Sequence, residues 1–352
     1  MKKIDKTKPV LVTGATGYVA GALVKKLLEN GITVHAAVRD PENKEKIKYL
    51  EKVANETGGT IKYFKSDLLE ENSYAEAMKD CELVFHTASP FTLSIKDPQK
   101  DLVDPAVKGT RNVLETVNKA DSVKRVVLTS SCAAIVGDNK DFQSYPGGVA
   151  TEENWNETSW LNHQPYSFSK VMAEKEAWKI NEAQDKWDLV VINPSLVIGA
   201  GINPNGTSES FNIIKQLGDG TMKMGVPDFK IGAVDVMDVA EAHFRAGFMP
   251  EAKGRYITSA ENTSILNLAM ALKNKYGNKY PFPNKTLPKF LVWLVAPMSG
   301  LSRKFVSNNI GYPWNTDNSK IKKELGIKFR KLDESVVEFF DQLVAAGAIK
   351  TK

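Results

Sequence analysis

Short apolar runs alternate with segments of helical periodicity through the first half of the chain. Six runs rich in β-branched residues predict buried strands, at residues 9–13, 33–38, 60–64, 83–88, 125–131 and 189–194. Between them, the spacing of apolar positions predicts helices, for example over residues 19–30, 106–120 and 166–183. This alternation is typical of an α/β fold with a Rossmann-type, doubly wound parallel sheet that carries helices on both faces.

The alternation stops after a turn-forming cluster at residues 203–206, and only residues 255–258 again resemble a strand of the main sheet. We therefore expect a dinucleotide-binding domain formed by residues 1–194 plus about 225–260. A smaller, discontinuous C-terminal substrate lobe is expected to contain about residues 195–224 plus 261–352.

Residues 286–312 form an unusually apolar and aromatic segment. Four interpretations stay open: core of the smaller lobe, a lid over a substrate pocket, a subunit contact, or a helix on a membrane surface. The last is the least favoured, because Arg303 and Lys304 are the only basic pair at its end. Its longest apolar run, residues 290–296, is much shorter than the roughly 20 residues that a membrane-spanning helix needs.

A glycine-containing turn joins the first predicted strand to the first predicted helix. Gly14 permits the tight turn, Gly17 permits close approach of a pyrophosphate to the backbone, and Ala20 takes the third position of the dinucleotide fingerprint. The pyrophosphate is then expected at the helix N-terminus, where free N–H groups and the helix dipole favour an anion. The predicted cofactor-binding residues of this turn are Thr13, Gly14, Ala15, Thr16, Gly17, Tyr18 and Val19.

The end of the second predicted strand indicates which dinucleotide is bound. Arg39 stands where a guanidinium can pair with the 2′-phosphate of NADP, and Lys46 follows in the next segment. Alternatively, Arg39 pairs with Asp40 and Lys46 lies on a solvated helix face, while Asp40 could serve the ribose of NAD. We expect NADP, with Arg39 and Lys46 as phosphate ligands.

Tyr166 and Lys170 are four residues apart in a predicted helix and therefore share one face. A nearby ammonium stabilises a phenolate, which favours Tyr166 as a proton donor. Ser131 ends the fifth predicted strand, at the sheet edge where ligands of parallel α/β folds bind. The predicted catalytic residues are Ser131, which orients the substrate oxygen, Tyr166 and Lys170.

Composition narrows the functional classes further. The net charge of +5 is spread over 352 residues without a basic block, which argues against nucleic-acid binding. The two cysteines, Cys81 and Cys132, lie in or beside apolar runs, as expected for reduced core thiols in a cytoplasmic protein. The N-terminal residues lack the apolar stretch of a signal peptide. We predict neither a metal site nor a membrane span, and either a monomer or a homodimer.

At this point the chain resembles the extended short-chain dehydrogenases/reductases, in the branch of dihydroflavonol 4-reductase, cinnamoyl-CoA reductase and methylglyoxal reductase. The resemblance covers nearly the whole chain. It is carried by residues 12–17, 38–41, 67–68, 86–91, 129–131, 166–170, 193–194 and 234–236.

The resemblance implies a reductase that transfers a hydride from NADPH to the carbonyl of a small aldehyde or ketone. It also implies several further contacts. Adenine would contact Asp67 and Leu68. The diphosphate and ribose would contact Thr87, Ala88 and Ser89, and also Thr129 and Ser130 at the fifth strand. The nicotinamide would contact Pro194 and Val197. Substrate would contact Phe91, Ser131, Val136 and Tyr166.

Two positions depart from the family pattern. Val136 stands where the plant flavonoid enzymes have an asparagine that reads the flavonoid ring, and Ala106 replaces an asparagine linked to proton relay. Alternative functions on this fold are a sugar-nucleotide epimerase or dehydratase, a 3β-hydroxysteroid dehydrogenase, and a non-catalytic NADP-binding sensor. The dehydratase is disfavoured because Cys132 and Ala133 follow Ser131 where its acidic pair would be, and the sensor because the Tyr–Lys pair is kept.

Overall fold

The computed structural model describes residues 2–89 and 95–350. The strands are β1 (Val10–Thr13), β2 (Val34–Val38), β3 (Ile61–Lys65), β4 (Leu83–His86), β5 (Arg125–Thr129), β6 (Asp188–Pro194), β7 (Leu196–Ile198), β8 (Val226–Pro227), β9 (Lys230–Asp235), β10 (Gly254–Thr258), β11 (Glu261–Ser264) and β12 (Thr286–Leu287).

The helices are α1 (Tyr18–Glu29), α2 (Lys44–Thr57), α3 (Ala75–Met78), α4 (Asp104–Lys119), α5 (Pro165–Glu182), α6 (Glu209–Gly218), α7 (Val236–Phe248), α8 (Ile265–Tyr276), α9 (Lys289–Val295), α10 (Arg303–Asn309), α11 (Ser319–Glu324) and α12 (Leu332–Ala345). A π-helical turn, Gln99–Val103, leads into α4, and 3₁₀ turns occupy Cys132–Ala134, Asn139–Ser144, Pro146–Gly148 and Ala296–Ser299.

The main sheet has seven strands in the order β10-β6-β5-β4-β1-β2-β3, and every neighbouring pair is parallel. All seven come from the sequence-predicted segments, which confirms the Rossmann-type α/β fold. The chain order reverses between β1 and β4, which places a ligand crevice at the carboxyl ends of these strands.

Alternate residues of each strand fill two apolar layers, one on either face of the sheet. On one face, Val10 and Val12 pack with α1 and α7; on the other, Leu11 packs with α3 and α4. Both cysteines are free and buried, Cys81 in the second of these layers. Burial of both strand faces explains why these segments are continuous apolar runs in the sequence.

The rest of the chain builds a second apolar cluster on two small sheets. One sheet has the order β11-β9-β7 and the other pairs β12 with β8. Helices α6, α8 and α12 cover them, and the cluster centres on Phe211, Phe339 and Phe340.

The packing departs from the expected domain bounds at two elements. Strand β9, which falls within residues 225–260, pairs with β7 and β11 rather than joining the main sheet. Helix α11, which falls within residues 261–352, places Ile321 in the core under the main sheet and contacts β10. The chain therefore crosses between the two clusters more often than the sequence indicates, and the domain bounds stay a prediction.

Residues 286–312 form β12, α9, a 3₁₀ turn and α10. Only Val292, Ala296, Val306 and Ile310 of this segment form a buried cluster. The side chains of Phe290, Leu294 and Met298 are 69%, 59% and 90% exposed. Most of the apolar residues of α9 therefore face solvent, and the lobe-core interpretation does not describe them.

Candidate active site

The turn between β1 and α1 has the geometry of a phosphate cradle. Gly14 has φ +63°, and a Cβ added there would lie 3.1 Å from the Cα of Ala88. The N–H of Gly17 donates to the carbonyl of Gly14 (2.9 Å), and Gly17 is exposed. A side chain at Gly14 would therefore be strained and crowded.

The N-terminus of α1 is open to an anion. Its N-cap residue, Gly17, has no side chain that could cap it, and no acidic residue stands in its first turn. Since the first N–H groups of a helix have no partner within the helix, the N–H groups of Tyr18 and Val19 are available to a pyrophosphate. The residues present therefore fit a dinucleotide. Ala15 is buried in this turn and Thr16 is half-buried.

The carboxyl end of β4 is held against the cradle by Thr13. Its hydroxyl accepts from the N–H groups of Thr87 (3.1 Å) and Ala88 (3.0 Å) and lies 3.0 Å from Nδ1 of His86. With both amides donating to it, the Thr13 hydroxyl has its own proton left for His86. Burial, assisted by the charge of Lys170, lowers the pKa of His86 to about 3, so the imidazole is neutral at pH 7.

Arg39 lies at the end of β2 and is exposed. Asp40 uses its Oδ1 to accept the N–H of Glu42 (3.1 Å), and no ion pair joins Arg39 to any residue in the two described ranges. The expected alternative, an Arg39–Asp40 pair, is therefore not formed. Lys46 is exposed in the first turn of α2. Both cations are free to meet a ligand.

Helix α5 presents the predicted proton donor. It begins at Pro165 after Gln164, which has the left-handed conformation φ 56°. Tyr166 is 50% exposed, and its hydroxyl forms no hydrogen bond with the residues that the structure describes. The ammonium of Lys170 lies 5.8 Å from the centre of the Tyr166 ring and donates to the hydroxyl of Ser89 (3.1 Å). The helix thus places Tyr166 and Lys170 together at one opening beside β4.

Ser131 follows β5 and caps the 3₁₀ turn after it. Its hydroxyl accepts from the N–H of Ala133 (3.1 Å) and lies 3.5 Å from the carbonyl of Pro194, at the end of β6. Ser131 and Pro194 therefore end neighbouring strands at the sheet edge where α5 begins, which is compatible with their predicted roles.

A cavity between β4, β5, α4 and α5 brings several further predicted residues together. Its walls include Leu68, Ala88, Ser89, Ser130, Lys170 and Ala106. Leu68 also packs closely against α4: a Cβ added at Gly109 of that helix would lie 3.2 Å from Cδ2 of Leu68. Asp67 stands just before it and is half-buried. Ala106, the departure from the family pattern, thus lines the cavity and offers no polar atom there.

Three predicted residues are not among the residues that line this cavity, and the hydroxyl of a fourth, Thr129, points away from it. The hydroxyl of Thr129 bonds Nε2 of His243 on α7 (2.7 Å), which directs it to the other side of the sheet. Val136 is buried in a small core cluster around Phe142. Val197 lies in β7 and packs against the core under the main sheet. Phe91 lies outside the described residues. Thr129 therefore lines the cavity without offering its hydroxyl there, whereas the structure does not bring Val136 to the cavity.

The sequence prediction missed Glu174, one helical turn beyond Lys170. Glu174 is buried and accepts from Arg255 Nε (2.6 Å), Asn193 Nδ2 (2.9 Å) and the hydroxyl of Ser130. Arg255 also donates to the carbonyl of Asn154 (2.6 Å). The side chain of Ser130 thus serves this buried cluster. The only signal in the sequence is the four-residue spacing from Lys170, which an ordinary solvated helix face shares.

A second buried cluster holds the N-terminus of α5. The carboxylate of Asp138 accepts from Gln164 Nε2 (2.6 Å), His163 Nε2 (2.8 Å), Asn308 Nδ2 (2.7 Å) and Asn309 Nδ2 (2.7 Å). Gln164 is the residue whose left-handed backbone starts α5. The loop after Ser131, the start of α5 and α10 are therefore fixed by one carboxylate.

Comparisons with known proteins agree with this geometry. The family described as "NAD dependent epimerase/dehydratase family" matches residues 10–257. The chain belongs to this family, the extended short-chain dehydrogenases/reductases. It is 35% identical to anthocyanidin reductase of Arabidopsis thaliana over 98% of this chain and 97% of the relative. It is 34% identical to tetraketide alpha-pyrone reductase 1 of the same plant, over 97% of each chain.

Among solved structures, a yeast methylglyoxal/isovaleraldehyde reductase complexed with NADPH superposes with a TM-score of 0.73. The two are 27% identical, and the match covers 97% of this chain and 100% of the yeast chain. The predicted branch of dihydroflavonol-reductase-like enzymes is confirmed, and the chain is an NAD(P)-dependent reductase and oxidoreductase. None of the helices in residues 2–89 and 95–350 is long and apolar enough to cross a membrane.

Proposed function

We propose that this reductase transfers a hydride from NADPH to the carbonyl carbon of a small aldehyde or ketone and yields the alcohol. In this proposal the bound dinucleotide supplies the hydride. Tyr166 gives its phenolic proton to the carbonyl oxygen, Ser131 orients that oxygen with its hydroxyl, and Lys170 holds positive charge beside the phenol.

The observation that carries the proposal is the state of Tyr166. A half-exposed phenol, which forms no hydrogen bond with any residue in ranges 2–89 and 95–350, stands beside an ammonium at the carboxyl edge of the sheet. Since a tyrosine has a pKa near 10, a nearby cation is needed to make it an effective acid near neutral pH. Lys170 places a positive charge beside the ring of Tyr166 and donates to the hydroxyl of Ser89, in the segment after β4.

Three features support NADPH rather than NADH. Arg39 is exposed without an ion-pair partner among the described residues, Lys46 is exposed in the first turn of α2, and one carboxylate oxygen of Asp40 accepts from the N–H of Glu42. A fork of guanidinium donors suits a phosphate, whereas the ribose hydroxyl of NAD calls for an acidic acceptor.

For the substrate we propose a medium-sized apolar or aromatic carbonyl compound. Val136 is buried in a core cluster and supplies no polar atom toward a substrate where the flavonoid enzymes place an asparagine. A pocket without a partner for a hydroxyl cannot select strongly for that hydroxyl. Reduction is favoured over dehydration, because Cys132 and Ala133 provide no acidic pair after Ser131. The names of the curated relatives keep flavonoids and pyrones among the compounds to test.

The test is oxidation of NADPH at 340 nm with a panel of aldehydes, diketones, keto esters, a steroid and dihydroquercetin. We expect turnover of aryl aldehydes and diketones, with kcat/KM for dihydroquercetin no higher than for benzaldehyde. A hundred-fold preference for dihydroquercetin would contradict the substrate class. Absence of turnover with every carbonyl, together with tight NADPH binding, would favour the sensor alternative.

We also propose that the protein works in the reducing environment of the cytoplasm. Both thiols are free and buried, and burial raises the pKa of Cys81 to about 12 and that of Cys132 further, which keeps them protonated and unreactive. Whether the reductase is a monomer or a homodimer stays a prediction, which sedimentation of the pure protein would decide.

A further inference from the structure

The apolar surface of α9 and the turn after it is the feature of the molecule that the reductase activity does not use. We define this surface, the α9 face, by its exposed apolar side chains: Phe290, Leu291, Trp293, Leu294, Val295 and Met298. A run of adjacent exposed apolar residues of this size is uncommon on a protein that meets only water. It therefore indicates a contact with another apolar phase.

The anchoring of α9 keeps this face outward. Val292 of α9 and Ala296 of the 3₁₀ turn that follows it pack with Val306 of α10 and with Ile310 just after α10, while the other apolar side chains of α9 are exposed. Helix α10 is in turn fixed by Asn309, whose amide donates to the buried carboxylate of Asp138 (2.7 Å). The α9 face is thus held in a fixed position on the surface of the protein.

The charges on the chain segment that carries the α9 face have a single sign. Residues 262–316 contain seven lysines and arginines and neither an aspartate nor a glutamate. Four of these cations flank the α9 face along the chain and are exposed: Lys285, Lys289, Arg303 and Lys304. None of the four forms an ion pair within the described ranges, whereas Lys275, farther along α8, pairs with Asp341 (2.9 Å).

The aromatic residues also match an interface between water and lipid. The guanidinium of Arg303 stacks on Trp293, 4.4 Å from the ring centre, and Lys289 lies 4.8 Å from the ring of Tyr312. A helix with Trp, Phe and Leu on its free side and cations at its margin is the pattern of a segment that lies in the headgroup region. From the sequence, a membrane-surface helix is the least favoured interpretation because only Arg303 and Lys304 are counted as its basic residues. With Lys285 and Lys289 included, four cations support this interpretation.

We propose that the α9 face docks the reductase on an anionic lipid bilayer, with the apolar side chains in the headgroup boundary and the four cations against lipid phosphates and carboxylates. A second copy of the chain fits less well. A symmetric contact through this face would bring each cationic margin against its own copy. The negative surface of a cytoplasmic leaflet instead attracts every one of these cations.

The experiment is flotation of the full chain with vesicles of phosphatidylcholine alone or with about 30% phosphatidylserine, a fraction that gives a strongly negative surface. We expect recovery with the anionic vesicles, little recovery with the neutral ones, and loss of binding in high salt because screening weakens the attraction. Equal recovery with both kinds of vesicle, or none with either, would overturn the proposal.

A matched pair of variants tests the apolar contribution. Leu294 and Leu69 are each 59% exposed, but only Leu294 belongs to the α9 face. We expect Leu294→Ser to lower the partition constant at least severalfold and Leu69→Ser to leave it unchanged. Turnover of a water-soluble aldehyde by Leu294→Ser verifies that the variant is folded. Equal flotation of the two variants would overturn the assignment of this face.

A second pair tests the charges. Each cation near an anionic bilayer contributes about 1 kcal/mol, a factor of about five in binding. The double variant Lys285→Gln/Lys304→Gln should therefore bind roughly 25-fold more weakly, while Lys62→Gln/Lys328→Gln, at exposed positions elsewhere, should bind as the unmodified chain. If the protein instead sediments as a dimer that Leu294→Ser dissociates and no vesicle binds, a second copy covers the face and the proposal is wrong.

Discussion

Helix α5 carries two charged residues, one turn apart, of which one faces an opening and the other is buried. Lys170 faces the opening, where its ammonium contacts the hydroxyl of Ser89 and the ring of Tyr166. Glu174 points into the protein, where Arg255, Asn193 and Ser130 occupy both of its carboxylate oxygens. The same helix thus has one charge satisfied within the protein and one with room for a further partner.

The difference separates structural charges from functional ones. A buried charge must be paired and hydrogen-bonded, so the cluster around Glu174 is explained by the fold itself. Lys170 and Arg39 need no partner for folding, because water reaches them, and both stand where a ligand of opposite charge is expected. Variants at the opening should therefore change turnover or binding without changing stability. Variants in the buried cluster should primarily lower the free energy of unfolding.

The largest effect is expected at Tyr166. The variant Tyr166→Phe keeps the ring and removes the proton donor, so kcat should fall by about 10²–10⁴-fold. Binding of NADPH, followed by fluorescence titration, should survive, since the cradle at Gly14 is untouched. The urea midpoint should also stay the same, because the Tyr166 hydroxyl bonds no described residue.

Tyr312→Phe, at a tyrosine far from α5 in sequence, is the matched control and should keep its kcat. Retention of more than a tenth of kcat by Tyr166→Phe, on a substrate whose chemical step limits the rate, would show that another group donates the proton.

In the buried cluster, Glu174→Ala should act on stability. It leaves the guanidinium of Arg255 buried without its carboxylate, which costs about 3–5 kcal/mol. Urea unfolding gives the free energy of unfolding from the midpoint and slope. Glu176→Ala, two residues along α5, breaks a pair with the half-exposed Arg111 (2.8 Å) and should cost about 1 kcal/mol or less. Similar losses for the two variants would mean that the buried Glu174 pair contributes no more to stability than an exposed one.

The same comparison shows what the sequence can and cannot predict. The seven strands and the turn at Gly14 were predicted because each is a local pattern, a buried apolar run or a glycine that a positive φ requires. The burial of Glu174 depends on Arg255, which lies 81 residues away, so no local pattern reveals it. For Leu294 the apolar pattern is the same whether the residue faces core or solvent, and only packing decides. Val136 shows the converse, since a residue expected at the pocket is buried in a core cluster.

The smallest of the three effects is expected at the mouth of the cradle, where Arg39 forms no ion pair with the part of the chain that the structure describes. Charge-assisted hydrogen bonds to a phosphate contribute about 1.5–3 kcal/mol, so Arg39→Ala should raise the KM for NADPH roughly ten- to a hundred-fold. The KM for NADH should stay nearly unchanged, because NADH has no 2′-phosphate. Steady-state kinetics with both cofactors and one good aldehyde measure the ratio.

Lys46→Gln should have a smaller effect than Arg39→Ala, because Lys46 is a point charge on an exposed helix turn rather than a planar fork of donors. Its loss should weaken NADPH by about fivefold or less, as for exposed ion pairs in general. The urea midpoint of both variants should match that of the unmodified chain, since neither side chain pairs within the described residues. Equal catalytic efficiency of the unmodified enzyme with NADPH and NADH would remove the phosphate role of Arg39. A change in the urea midpoint for Arg39→Ala would instead mean that this arginine is a structural charge, like those of the buried Glu174 cluster.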